Sequence, residues 1–339
     1  MKIKIPGKLF LVGEYSVLKT GQNAIIMGVN KFLKVSIKKG ETHFLIETNK
    51  GSLSFNDSLQ MSETNLKHVT YAVKMAHQYL EYHQVKPMFY HIVIKSELES
   101  EGKKYGLGSS GAVIIGILKS ILLFHKINIS DLDLFKLAVL TQLKMDDITS
   151  GGDLAANIYG GMVYYERYDL NWLLENQDLS VISKDWPGLV IKEIAYPNLK
   201  LVVGWTKKIS LTKEKIKDFK RKEIALSWYE NAFEVVLNTK KALLEDDFYR
   251  LRQNILKYQE LLNELENDYG YLINTKALQL INQSVNQLGY AGKISGAGHG
   301  DCGIGVYQQR KCHKKLYQTW QENDIEPLKI NIWRKKHEI

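Results

Sequence analysis

Four short stretches of this chain carry residues whose types and spacing suit the handling of phosphate. The first runs Gly106, Leu107, Gly108, Ser109, Ser110, Gly111, Ala112 and leads at once into the apolar run Val113 to Phe124. Glycines there let backbone amides converge without side chains in the way, and the helix that the apolar run predicts aims its positive end at the same spot. The stretch reads as an anion cradle. Ser109 and Ser110 add hydroxyls able to bond a phosphate oxygen or a magnesium ion. It is not the P-loop, which needs a lysine directly before the serine. A glycine-rich helix start with no ligand is the bland alternative, and the paired serines with Lys103 and Lys104 just upstream weigh against it.

The second stretch, Pro6, Gly7, Lys8, Leu9, Phe10, Leu11, Val12, Gly13, Glu14, Tyr15, sets one lysine in an otherwise apolar strand pattern. An ammonium group beside Leu9 and Leu11 is costly without an anion, so Lys8 is expected to meet a phosphate or a carboxylate. Glu14 can be that partner, which would make the two a structural salt bridge. The third stretch is Asp146, Asp147, Ile148, Thr149, Ser150, Gly151, Gly152, Asp153, before the small apolar run Leu154 to Ile158. An aspartate at a helix entrance can simply favour the helix dipole. Its functional reading is a group that accepts or orients the proton of an attacking hydroxyl or phosphate, or a magnesium ligand. The fourth stretch, Lys293 to Ile304 (KISGAGHGDCGI), is a glycine-rich turn between strands, which lets backbone approach a ligand closely. Alone it is weak evidence.

The rest of the chain must position these stretches. With 339 residues, 45% hydrophobic and 24% charged, it has the composition of a globular protein large enough for two lobes. No run approaches the roughly 18 apolar residues of a membrane span, and Met1 to Phe10 is patterned as a strand rather than a signal peptide, so the cytoplasm is the expected compartment. Two cysteines, Cys302 and Cys312, are too few for a disulfide framework or a cysteine metal site, and reduced thiols are expected. A net charge of +9 suits anionic partners. The lysines are spread along solvated helix faces, as in Lys213 to Lys222, which argues against a nucleic-acid partner. The compact basic run Trp333, Arg334, Lys335, Lys336, His337 is expected to be a solvated tail.

Alternation predicts strands at Leu33 to Ile37 and Tyr90 to Ile94, with a helix between them marked by Leu66, Val69, Val73, Ala76 and Leu80. Ser130 and Asp133 form a capping box that opens a helix to about Leu143. A strand at Leu199 to Val203 precedes a long helical stretch whose apolar stripe is Ile216, Phe219, Trp228, Ala232, Val235 and Leu243. Two helices follow, near Phe248 to Leu265 and Thr275 to Leu288, the second capped by Asn274 and stopped by Gly289. A strand, the glycine turn, a strand, a helix and a last strand near Lys329 to Trp333 complete an α+β protein with two lobes.

Taken together and in this order, the stretches resemble the galactokinase, homoserine kinase, mevalonate kinase and phosphomevalonate kinase (GHMP) superfamily. Its first motif is matched by PGKLFLVGEYSVL from Pro6 to Leu18, its second by GLGSSGAV from Gly106 to Val113, and its third by KISGAGHGDCGIGV from Lys293 to Val306. EGKKYGLGSSGAV, SGGDLA, GDCGI and LVVGWTKK (Leu201 to Lys208) are similar to the bacterial phosphomevalonate kinase branch. Ser16 in place of a commoner alanine and His299 in place of glycine depart from the pattern; histidine tolerates positive φ better than most residues.

The resemblance implies a GHMP kinase fold, with an N-terminal ribosomal-protein-S5-like lobe over residues 1–170 that binds ATP and a C-terminal ferredoxin-like lobe with added helices over 171–339. It implies transfer of the ATP γ-phosphoryl group to 5-phosphomevalonate with magnesium. It carries the following roles onto this sequence. Gly106, Leu107, Gly108, Ser109, Ser110, Gly111 and Ala112 would hold ATP, with Ser110 on the metal. Lys8 and Asp153 would be catalytic. Lys8, Tyr15, Lys104, Ser150, Gly151, Ser295, Ala297 and Gly298 would face the acceptor. Small-molecule substrates, no nucleic acid, no membrane, and a monomer or homodimer complete the expectation. The alternatives are another GHMP kinase, such as a mevalonate kinase, or a silent member that binds ATP or a metabolite; the presence of both Lys8 and Asp153 in a costly charged setting argues against silence.

Overall fold

The computed structural model describes residues 1–58, 66–208, 219, 222–309 and 311–335. The first lobe contains strands β1 (Lys2–Val12), β2 (Asn23–Lys39), β3 (Phe44–Thr48), β4 (Gly51–Phe55), β5 (Tyr90–Ser96), β6 (Glu99–Ser100), β7 (Lys103–Lys104), β8 (Met162–Glu166) and β9 (Val190–Glu193). Its main helices are α1 (Lys67–Tyr82), α2 (Ser109–Phe124), α3 (Asp131–Lys144) and α4 (Gly152–Tyr159), followed by the short α5 (Leu170–Glu175). The sheet runs β4-β3-β5-β2-β8-β9, with β1 also paired to β2.

The long β2 is the spine of this sheet. From Asn23 to Val29 it is buried on both faces, lying between β1 and β8; beyond that, buried Leu33, Val35 and Ile37 alternate with more open residues where β5 pairs. The period-2 pattern in the sequence belongs to this second half, where a single face is fully covered. Helices α2 and α4 pack on β1 and β2, and α1 and α3 pack on α2. The capping box forms as expected, Asp133 N–H donating to Ser130 Oγ over 3.0 Å.

The second lobe is an antiparallel sheet ordered β11 (Ala291–Ser295), β12 (Cys302–Tyr307), β10 (Lys200–Trp205), β13 (Glu326–Leu328). Helices α6 (Leu226–Leu244), α7 (Phe248–Tyr269), α8 (Lys276–Gln287) and α9 (Lys314–Glu322) complete it, α7 and α8 packing on β11. Trp228, Ala232, Val235 and Leu243 are buried along α6, as the stripe predicts. Phe219 is also buried but precedes that helix, because residues 223–225 are irregular; Ile216 lies outside the described residues.

Three expectations need correction. The cap of α8 is Thr275, whose hydroxyl accepts from Leu278 N–H at 3.3 Å, because the Asn274 side chain is turned elsewhere: its Nδ2 donates to Asn263 Oδ1 at 3.0 Å and to Glu266 Oε2 at 2.5 Å, and its Oδ1 accepts from Gln259 Nε2 at 3.4 Å. The expected strand at Lys329 to Trp333 is replaced by the short β13 and by a segment that leaves the second lobe for the first. There Trp333 N–H donates to Gly28 O at 2.8 Å, and its carbonyl accepts from Gly161 N–H at 2.6 Å. Nor do the basic residues described at this end form a solvated tail. The Arg334 guanidinium stands 4.3 Å over the Tyr196 ring and Lys335 bonds Asp131 Oδ2 at 2.5 Å, so both charges have fixed partners. Among the described residues no helix is long and apolar enough to cross a membrane.

Candidate active site

Lys8 lies on β1 directly beneath the first glycine turn. Its N–H donates to Leu107 O at 3.0 Å, and its Nζ reaches Gly106 O at 3.3 Å and stands 5.2 Å from the Phe10 ring. Gly106 and Gly108 adopt φ of 81° and 75°, conformations that a side chain disfavours, and a β-carbon on Gly108 would sit 2.8 Å from Lys8 Cγ. The turn therefore lies on the lysine stem only because it is glycine. Gly108 caps α2 with no side-chain hydrogen bond, so the leading amides of Ser109, Ser110 and Gly111 lack helical acceptors, as at any helix start. Leu107 is buried and anchors the turn, and Ala112 makes the first helical bond, to Gly108 O at 3.1 Å. The amides and the helix dipole thus face one spot beside an ammonium group.

Asp153 closes the other side. It stands in the first turn of α4, and a β-carbon on Gly111 would lie 2.9 Å from its Oδ2, so the start of α4 is pressed against the start of α2. Burial holds the Asp153 carboxyl above the ordinary aspartate range, and Lys8 pulls the other way. Thr149 Oγ1 donates to Oδ1 over 3.4 Å. A small hard cation fits here: Asp153 offers carboxylate oxygens, and among the described residues the half-buried Ser109 and Ser110 hydroxyls have no protein partner. Among those residues no three His, Cys, Asp or Glu side chains gather around a common point. A cation at this turn would therefore draw its other ligands from phosphate and water, as magnesium usually does.

Ser150 and Gly151 sit just before Asp153. The Ser150 hydroxyl accepts from Gly152 N–H at 3.2 Å and its carbonyl from Tyr165 OH at 2.7 Å, while Gly151 has φ of 85°. Lys104 ends the short β6-β7 hairpin opposite Glu99, just before the glycine turn.

The fourth stretch is tied to the far end of β1. Ser295 Oγ donates to Phe10 O at 3.0 Å, and Tyr15 OH donates to Ala297 O at 2.6 Å. Gly298 packs under the carbonyl of Ile273, which also accepts from His299 N–H at 2.7 Å; His299 takes the positive φ, 63°, that its place in the turn requires. Ser16 meets Tyr258 OH at 3.0 Å. Ser295 and Tyr15 thus spend a hydrogen bond each on joining the lobes.

Glu14 is not the partner of Lys8. It pairs with Lys293 of β11, and both are sealed from solvent; the Lys293 ammonium also bonds Ile294 O at 2.5 Å. Burial lowers the Lys293 pKa while Glu14 opposes that shift. The Glu14 carboxylate lies within 3.4 Å of Gly296 N in the fourth stretch. Lys8 itself makes no ion pair among the described residues.

Two residues at this site went unassigned in the sequence. Asp301, buried and at φ of 55°, presses on the glycine turn: a β-carbon on Gly106 would meet its Oδ2 at 2.6 Å. Asn157, one helical turn beyond Asp153, donates to Pro6 O at 2.6 Å, and its buried Oδ1 has no partner and borders Gly111. An Asp153/Asn157 spacing of four on a helix marks one face, which is the only sequence signal for Asn157. Asp301 sits inside the GHGDCG run and carried no signal beyond that.

An ammonium group, uncapped amides and a carboxylate around one turn suit an enzyme that moves phosphoryl groups, where positioning and charge neutralisation do most of the work. The chain belongs to the GHMP kinases: residues 69–161 match the family model for the GHMP kinases N terminal domain, and residues 239–324 that for GHMP kinases C terminal. The phosphomevalonate kinase of Streptomyces sp. (strain CL190) is 28% identical over 96% of this chain and 95% of its own length. Among solved structures, a Lin0012 protein from Listeria innocua superposes with a TM-score of 0.92 at 28% identity, covering 98% of both chains. Streptococcus pneumoniae phosphomevalonate kinase in complex with phosphomevalonate and AMPPNP gives 0.88 at 26% identity, covering 98% of this chain and 100% of that one.

Proposed function

We propose that this enzyme transfers the γ-phosphoryl group of ATP to (R)-5-phosphomevalonate, giving (R)-5-diphosphomevalonate and ADP, in the mevalonate route to isoprenoids. The nearly end-to-end likeness to phosphomevalonate kinases, in both sequence and fold, carries this reading.

In this reading the ATP phosphates rest on the amides from Gly106 to Ala112, with magnesium held by Ser110 and Asp153. Magnesium, when bound, neutralises phosphate charge that would otherwise oppose the approach of two anions. An acceptor phosphate oxygen attacks the γ-phosphorus as the bond to the ADP oxygen breaks. The acceptor is ionised at neutral pH, so it needs positioning more than a strong base. Lys8 meets the charge on the moving phosphoryl group. Asp153 orients Lys8 and the cation, and Lys104, Ser150, Gly151 and the turn from Ser295 to Gly298 enclose the acceptor. The enzyme is read as cytoplasmic, a monomer or homodimer, with no nucleic-acid partner.

ADP release measured with phosphomevalonate, mevalonate and galactose tests the proposal. Turnover with phosphomevalonate alone is the expected result. Preference for mevalonate would move the enzyme to another branch of the family, and no turnover with any acceptor would sink the enzyme reading.

A further inference from the structure

Arg167 follows β8 and is fully buried, at 1% exposure, in the tyrosine-rich run Tyr164, Tyr165, Glu166, Arg167, Tyr168. A buried guanidinium ordinarily has a carboxylate beside it, because an unpaired charge in the interior is costly. Arg167 makes no ion pair among the described residues. Its donors go instead to two carbonyls far apart in sequence: Nη1 to Leu18 O, and Nη2 to Thr149 O at 3.1 Å. Its Nε is buried and unpartnered, and its guanidinium carbon stands 5.9 Å from the Tyr168 ring.

The two carbonyls belong to two different stretches of the site. Leu18 is the last residue of the first motif, closing the short helical turn Ser16–Leu18, and Thr149 immediately precedes Ser150 and Gly151. The Arg167 backbone is itself fixed just beyond that turn, its N–H donating to Gln22 O at 2.9 Å and its carbonyl accepting from Gly21 N–H at 3.0 Å. Beside it, Tyr165 OH holds the next carbonyl of the loop, that of Ser150. Arg167 and Tyr165 thus take successive carbonyls of the loop that leads to Asp153.

We propose that Arg167 is the positioning residue of the acceptor side: its fork locks the turn that ends the first motif to the loop carrying Ser150 and Gly151, and its unneutralised charge favours an anionic acceptor there. This rests on the reading of Ser150 and Gly151 as the acceptor side. Arginine spans the two carbonyls with a rigid planar fork, whereas lysine would bring the charge from a single flexible point.

The test compares wild type, Arg167→Lys and Arg167→Gln in steady-state kinetics with ATP and phosphomevalonate varied separately, and in calorimetric binding of phosphomevalonate alone. Arg167→Gln is expected to raise the acceptor KM and Kd by about 10- to 100-fold, the worth of charge-assisted hydrogen bonds, while the KM for ATP stays within about twofold. Arg167→Lys is expected to recover part of the acceptor affinity, and it carries the comparison if the glutamine variant does not fold. Equal losses for ATP and acceptor, or an unchanged acceptor KM in either variant, would overturn the proposal. If wild type turns over a different acceptor, the function assigned above fails, and the same split is read with that acceptor.

Discussion

Lys8 of β1 and Lys293 of β11 are set into strands that meet across the lobes, and their surroundings are opposite. Lys293 is sealed from solvent with Glu14 against it. Lys8 is half-buried, has no ion-pair partner among the described residues, and reaches toward the glycine turn, with Asp153 near enough to feel its charge. A cation whose counter-charge is built into the fold is spent on holding the fold. A cation left short of one, beside uncapped helix amides, is available to an anion that arrives from outside.

Removing each lysine separates the two roles. Lys8→Ala is expected to lower kcat by about 10²- to 10³-fold, the scale for losing one donor aimed at developing charge, with little change in ATP affinity or in Tm. Unchanged turnover would refute that role. Lys293→Met strands the Glu14 carboxylate in the interior and should cost about 3–5 kcal/mol of stability in denaturant melts. The double variant with Glu14→Gln should recover most of it. A double variant no more stable than the single would mean that the pair is not the source of the loss.

Asp153 belongs to the Lys8 side, and its raised pKa gives the comparison a pH signature. The folded state holds the Asp153 proton more tightly than the unfolded chain does, so ionising it at neutral pH works against folding. Asp153→Asn should therefore raise Tm at pH 7 while abolishing most turnover. The gain should shrink as the pH falls through the raised folded pKa toward the ordinary aspartate value. A Tm that falls instead would show that Lys8 outweighs burial. The smallest effect is expected for Ser110→Ala, with the KM for magnesium-ATP up by about 3- to 10-fold, one neutral hydrogen bond or ligand lost. If magnesium and ATP titrations do not move, Ser110 does not hold the metal.

The local features were the legible ones. The Ser130 capping box, the strands at Leu33 to Ile37 and Tyr90 to Ile94, and the glycines at 106 and 108 all follow from rules spanning a few residues. What escaped depends on distance along the chain. Glu14 offers itself as an alternative partner for Lys8, six positions away, because the sequence shows proximity; the partner that the fold supplies to Glu14 is Lys293, 279 positions away. Arg167 and Asp301 look like ordinary surface charges until the fold buries them. Asn274 and Thr275 are both good caps, and only the pull of Glu266 and Asn263 on Asn274 decides between them. The basic run at Arg334 and Lys335 reads as solvated because Tyr196 and Asp131 are remote in sequence.

The segment from Asn331 to Lys335 has a consequence for synthesis. It is made after the whole second lobe, yet Asn30, Gly28 and Gly161 of the first lobe exchange backbone hydrogen bonds with it, and Trp333 lies edge-on to Phe32 with ring centres 5.5 Å apart. A nascent chain still missing these residues can pair β1 with β2 but cannot finish covering that edge. The first lobe to leave the ribosome is thus among the last parts to be completed, and its final stability is set by residues translated some three hundred codons later.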